Sequence, residues 1–384
     1  MATRGEQMLA LRKRRMANSH PFFRGGFRPF FASGALWALV ALALWLVALS
    51  GTFALPTHFD LLSWHRHEML FGFVGAVIAG FLLTAIPNWT GRLPIAGGPL
   101  ALLFGLWLSA RLALLFSAQV GPLVAALLDV GFYVVLAALA AREVFASKNR
   151  NVPIVLLILL FATANALDHS AAAGFVDDDA IGTRAAIGIV VVMISLIGGR
   201  VVPSFTRNWL VKQGSQSGLP TQPERFDIIA IMATALAMAG WLIAPLEPAV
   251  GALLILAAGL QAVRLARWSG LRAWRDPLVL VLHVGYAWVP VGLCLLGFSI
   301  VGTIVPGSGA IHALTAGAMA TMILAVMTRA TLGHTGRELK ANGATVMIYI
   351  LVKSARSAAL RHRCCPSTLC SRSGFRDLRG AVRS

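Results

Sequence analysis

The chain has 384 residues, of which 58% are hydrophobic and 12% charged, with a mean hydropathy of +0.76. A water-soluble domain carries about 25% charged residues, so a soluble fold is excluded and the long apolar runs need lipid as solvent. The net charge of +18 does not point to nucleic acid, because the basic residues sit at the ends of apolar runs, where they set topology and meet anionic headgroups.

Inside a bilayer, backbone groups are satisfied only in helices or closed barrels. The apolar runs here are continuous rather than alternating and long enough to cross, which selects helices. The fold class is therefore all-α: a polytopic transmembrane helix bundle. In chain order the sequence predicts spans over 30–50, 67–87, 98–117, 119–140, 152–174, 182–203, 227–244, 248–266, 277–300 and 309–330, and the start of another at 343. The first run, near Phe30, has no small-residue cleavage site after it, so we expect it to be retained rather than removed as a signal peptide.

Basic residues test this order. Arg4, Arg12, Lys13, Arg14, Arg15, Arg24 and Arg28 precede the first span. Arg92 follows the second, Arg142, Lys148 and Arg150 the fourth, Arg207, Lys212 and Arg225 the sixth. Arg264, Arg267, Arg272 and Arg275 follow the eighth, and Arg337 and Lys340 the tenth. The alternate loops are poor in Lys and Arg, and one holds Asp177, Asp178 and Asp179. This alternation predicts a cytoplasmic N-terminus. Three segments result: a basic N-terminal stretch over 1–29, a transmembrane domain over 30–352, and a tail over 353–384.

The tail differs from everything before it. It carries eight Lys or Arg, one acid (Asp377) and three cysteines, Cys364, Cys365 and Cys370. Lys353, Arg356, Arg361 and Arg363 follow quickly on the start of an eleventh span. Each charge near a helix centre costs about 2.5–3.5 kcal/mol, so that helix would not cross. We read the tail as out-of-frame translation; the alternative is a genuine basic tail, which the topology would place on the outer side. The cysteine spacing matches no zinc pattern.

Similar segments end the second, sixth and tenth spans: LLTAIPNWTGR, GGRVVPSFTRNWL and MTRATLGHTGR, with Pro87 and Pro203 at like places. This pattern predicts three units of four helices, twelve in an intact chain. The alternative is that helix ends at one membrane face simply favour Arg, Thr and Pro.

Several long motifs stand in a fixed order: HPFFRGGFRPFF (20–31), WHRHEMLFGF (64–73), GFLLTAIPNWTGR (80–92), GGRVVPSFTRNWL (198–210) and HALTAGAMATMILAVMTRATLGHTGR (312–337). On these the chain resembles the NnrS family, over residues 20 to about 352. The resemblance implies a bacterial inner-membrane protein of about twelve helices that binds haem and copper. It further implies a role in nitric oxide metabolism, nitrosative stress or denitrification. The expected partners are then the lipid bilayer, nitric oxide or a related small molecule, and an electron donor. If the protein is an enzyme, it would be an oxidoreductase acting on nitric oxide.

Ionisable residues within spans are costly and mark candidate sites. His67 and His312 both fall at the outer ends of even-numbered spans and could ligate a haem between two helices; the alternative is that each hydrogen-bonds at the interface. Copper takes imidazole or soft sulfur, so His65, His169 and His283 are the metal candidates, with Met69, Met319 and Met322 as further sulfur donors or plain packing. Asn165, Asp168 and His169 share one helix face. Asp168, like Glu68 beside His67, could orient a histidine or carry protons; the alternative is polar helix packing. Trp89, Arg92, Arg207 and Trp209 read as headgroup anchors; the alternative is that Arg200 or Arg207 pairs with haem propionates, which would put haem on the cytoplasmic side, against ligation by His67 and His312. Two other functions fit the composition: a transporter or channel for a metal or small anion, and an assembly partner of a respiratory complex.

Overall fold

The computed structural model describes residues 6–7, 10–11, 14, 17–302 and 305–349. Among them ten helices are long and apolar enough to cross a membrane. They are α1 (Phe27–Leu49), α2 (Leu61–Thr90), α3 (Gly98–Leu115), α4 (Pro122–Ala146) and α5 (Val152–Ala172), followed by α6 (Ile181–Lys212), α7 (Arg225–Ile243), α8 (Pro248–Ala266), α9 (Pro277–Val301) and α10 (Gly307–His334). No strand occurs among the described residues, and the chain is an all-α, multi-pass membrane protein. Residues 343–349, where an eleventh span was expected to start, are helical and belong to a separate unit that begins at Asn342. The tail with Cys364, Cys365 and Cys370 lies outside the described residues.

Local chemistry sets the helix ends. Pro stands in the first turn of α3, α4, α5, α8 and α9, where its missing N–H costs nothing. The Asp60 carboxylate caps α2, accepting from Leu62 N and Ser63 N at 3.0 Å each. Glu224 and Asp227 form a capping box on α7, and Gly91, at φ 67°, closes α2.

The connections alternate between two faces. The near face holds the segment before α1 and the α2–α3, α4–α5, α6–α7 and α8–α9 turns; there Gly97 N donates to Phe23 O and Asn149 Nδ2 to Trp89 O. The far face holds the others; there Ala118 N donates to Pro56 O. Neighbours in sequence pack side by side, and α2, α6 and α10 meet along the middle. Burial decides which helix is central: 72% of the apolar window of α2 is enclosed, against 28% of α1.

The three middle helices share a defect. Each contains a π-helical stretch: Glu68–Val74 in α2, Ile194–Gly198 in α6 and Ala313–Met319 in α10. The stretch recurs at every fourth span, in the same three helices whose ends carry similar sequence segments. Such stretches rotate the side chains that follow and cluster at functional sites. α2 and α6 run past their expected ends at 87 and 203, to 30 and 32 residues. Pro203 has no N–H to bond back, but the ladder is already irregular where the π stretch ends at Gly198. Arg207 and Trp209 therefore lie on helix rather than loop. Arg264, also expected in a loop, is buried within α8.

Candidate metal centre

The far half of the bundle buries an unusual group of polar side chains. The Asp60 cap starts α2 so that Trp64, His67 and Glu68 turn inward, all without solvent exposure. His67 Nδ1 lies 2.8 Å from Asp168 Oδ2 on α5, and its Nε2 lies 2.7 Å from Asp129 Oδ2 on α4. His169 Nε2 approaches the same Asp129 oxygen at 3.2 Å, and Asn165 Nδ2 donates to it at 2.9 Å. Thr183 Oγ1 donates to Asp168 Oδ1 at 3.3 Å. Phe59 and Phe71 pack on the His67 ring and close the site in hydrocarbon.

A second tier lies beside it. Arg111 on α3 donates to Asp129 Oδ1, and through Nη1 to Glu68 Oε2 at 2.8 Å. Trp37 Nε1 donates to the same Glu68 oxygen. Gly72, on the π stretch, leaves room for this pair, since a Cβ there would collide with both Glu68 and Trp37. Glu68 Oε1, Asn165 Oδ1 and Arg111 Nε are buried without a hydrogen-bond partner.

Two physical facts follow. Arg111 pairs with the carboxylates of Glu68 and Asp129, while Asp168 meets only His67 and Thr183, so with neutral imidazoles the cluster keeps a surplus of two negative charges. An uncompensated buried ion costs several kcal/mol. Second, both ring nitrogens of His67 face carboxylate oxygens, yet a neutral imidazole carries only one N–H. A second proton on His67 gives an imidazolium that donates from both ring nitrogens and lowers the surplus to one; a divalent cation beside Nε2 removes the surplus altogether. The donor atoms of His67, Asp129 and His169 lie within 4.8 Å of one another, so one ion can touch all three. Asp168 then takes the His67 Nδ1–H, the carboxylate–histidine pairing that orients metal-bound imidazoles.

The other sequence candidates are dispersed. The contacts of His312 are at the far surface, where its Nδ1 lies 2.7 Å from Ser308 O. His65 stacks on Trp45, ring centroids 4.1 Å apart, within electrostatic reach of His312. His283 sits toward the near face, 2.8 Å from Thr206 Oγ1. Met319 and Met322 are buried in the packing of α10. The structure thus joins His67, His169, Glu68 and Asp168, and separates His283 from them. Sequence reasoning passed over Arg111 and Asp129. Their signal was present: each is a lone charge in an apolar run, LSARLALLF and LLDVGF, which the cost of intramembrane charge marks as a candidate.

The near half holds a second buried network. Arg264 Nε donates to Asp227 Oδ1 at 2.6 Å, and its Nη1 donates to Ser195 O at 2.8 Å. Gln261 Nε2 donates to Ser195 Oγ and Thr234 Oγ1, while Tyr286 OH donates to Gln261 Oε1 at 2.6 Å. One acid balances one base here.

No curated protein and no solved structure matches the chain. The family model described as NnrS protein matches residues 21–366, nearly the whole length and including every motif noted above. By that match the chain belongs to the NnrS family.

Proposed function

We propose that this chain is a metal-binding membrane protein of the nitric oxide response, with its metal held by His67, Asp129 and His169. The observation that carries the reading is the convergence of three buried donor atoms within 4.8 Å, in a cluster with surplus negative charge. Membership of the NnrS family supports the link to nitric oxide. The basic near face supports a cytoplasmic N-terminus in a bacterial inner membrane.

Two imidazoles and a carboxylate suit a divalent first-row ion, and copper(II) is among those that fit. Held by His67, Asp129 and His169, such an ion would supply a site for a small ligand such as nitric oxide. Asp168 fixes the His67 tautomer, presenting Nε2 as the donor. Arg111 holds Asp129 through its other oxygen, and the aromatic wall of Phe59 and Phe71 excludes water. Haem does not fit this cluster: His67 is wholly buried with Phe59, Phe71 and His169 packed on its ring, which leaves no room beside it for a macrocycle. No step here depends on haem.

The test is elemental analysis of the purified full chain after loading with copper, iron or zinc, beside His67→Ala and His169→Ala. The expected result is a single tightly held ion, lost in both variants, whose spectrum changes when nitric oxide is added. Equal metal in wild type and variants would overturn the assignment. An ion that ignores nitric oxide would keep the site and remove the function.

A further inference from the structure

A cavity of about 590 Å³ opens at the near ends of α2, α6 and α10, the three helices that carry the π stretches. Arg200 and Arg329 line it, with Asn88 and Asn208, and neither Asp nor Glu does. The Arg329 guanidinium lies 3.9 Å from the Phe205 ring centroid, and Arg200 Nη1 donates to Asn151 Oδ1 at 2.8 Å. Both guanidinium groups are therefore held in place at the mouth. Trp89, also in the lining, is of the type that sits at headgroup depth.

Below the mouth, the same walls continue into a narrower slot of about 100 Å³ that has almost no polar surface. Phe81, Ile154, Ile197, Val201 and Val326 line both spaces. The combined shape is a cationic mouth at one membrane face and a hydrocarbon slot running toward the middle.

We propose that this space holds an anionic phospholipid of the surrounding bilayer, its phosphate between Arg200 and Arg329 and one acyl chain in the slot. Charge complementarity selects the head: two guanidinium groups with no carboxylate among the lining residues favour phosphate, which arginine binds through paired N–H donors. Basic pockets between membrane helices bind anionic headgroups for this reason. Depth and width select the tail, since a narrow apolar slot takes a flexible chain rather than a flat ring.

The test is mass spectrometry of lipid retained by the full chain, taken from nanodiscs of phosphatidylglycerol and phosphatidylcholine into mild detergent. Wild type should keep phosphatidylglycerol in preference to phosphatidylcholine. The Arg200→Ala/Arg329→Ala double variant should lose about tenfold or more of it, as expected for two charge-assisted contacts. Arg207→Ala, on the same face but outside the cavity, should keep it. Val326→Trp fills the slot without touching charge and should also release the lipid, and unchanged thermal unfolding of that variant shows that the fold survives. Equal retention in all four proteins would overturn the proposal. So would release of a tetrapyrrole or a quinone, rather than a phospholipid, from the arginine variant.

Discussion

The bundle buries two polar clusters, and they differ in charge rather than in number of contacts. In the near cluster Arg264 and Asp227 pair one to one, and hydroxyl and amide groups of Ser195, Thr234, Gln261 and Tyr286 take up the remaining valences. In the far cluster three carboxylates meet one guanidinium, and two imidazoles crowd a single Asp129 oxygen. Both clusters use glycine to let charge approach a helix backbone: a Cβ at Gly199 would strike Arg264, as one at Gly72 would strike Glu68. A balanced network is complete as it stands and serves packing. An unbalanced one, rich in metal donors, is the better candidate for a further cation, whether a proton on His67 or the metal ion proposed above. Buried charge by itself therefore does not mark a site; the residue of charge after pairing does.

The two clusters part most sharply at Arg264. Its replacement by Ala leaves Asp227 buried and unpaired, which should cost about 3–5 kcal/mol, read as a fall in thermal unfolding temperature in detergent. The folded fraction should nonetheless hold its metal as tightly as wild type. A loss of metal in that variant would show that the near cluster is not merely structural. Asp168→Asn is the converse. It keeps the shape but removes the carboxylate that orients His67, and metal affinity should fall about 10–100-fold, with stability little changed. Isothermal titration of the chelator-stripped protein reads this directly. Unaltered affinity would mean that Asp168 only packs against Thr183 and Gly182.

The sequence carried the bundle because apolar length and the alternation of basic loops are one-dimensional signals. The similar ends of the second, sixth and tenth spans, with Pro87 and Pro203 at like places, fall on the three helices that have a π stretch. The eye for mid-span charge found His169 and Asp168 but stopped short of Arg111 and Asp129, which sit in α3 and α4 with no polar neighbour in sequence. Their partners, His67 at 62 residues' separation from Asp129 and Glu68 at 43 from Arg111, are brought close only by helix packing. The grouping of candidates was illegible for the same reason. His65 and His67 are two residues apart, yet they point to opposite sides of α2, one onto Trp45 and the other into the cluster.

A smaller test concerns how the far cluster is presented. Asp60→Ala removes the cap of α2, seven residues before His67, and should cost about 1 kcal/mol. Because the cap fixes the first turn, one turn before His67, metal affinity should weaken slightly in parallel; a stability loss with no change in affinity would show that packing around Trp64 alone positions His67.

The smallest effect is expected at the far surface. Asp178 accepts from Arg184 Nη1 at 3.2 Å and from Ala180 N at 3.0 Å. The Arg184 hydrogen bonds hold its carboxyl below the ordinary aspartate value of 3.8, and its slight burial opposes this only in part. The side chain is 42% exposed, so Asp178→Asn should cost under about 1 kcal/mol at neutral pH. The sign is set by the depressed value. The unfolded chain binds the proton more readily than the folded one, so the stabilisation is fully present above pH 4 or so and fades as pH falls through the folded pKa. Thermal unfolding of wild type and variant should therefore converge on acidification from about pH 6 toward pH 2, and should converge also in about 1 M salt, where the screening length is about 3 Å. A difference that persists in acid but vanishes in salt would assign the effect to Arg184 and some other partner, and one that persists in both would assign it to the turn at Ala180, leaving the ion pair without a role in how the far face is held.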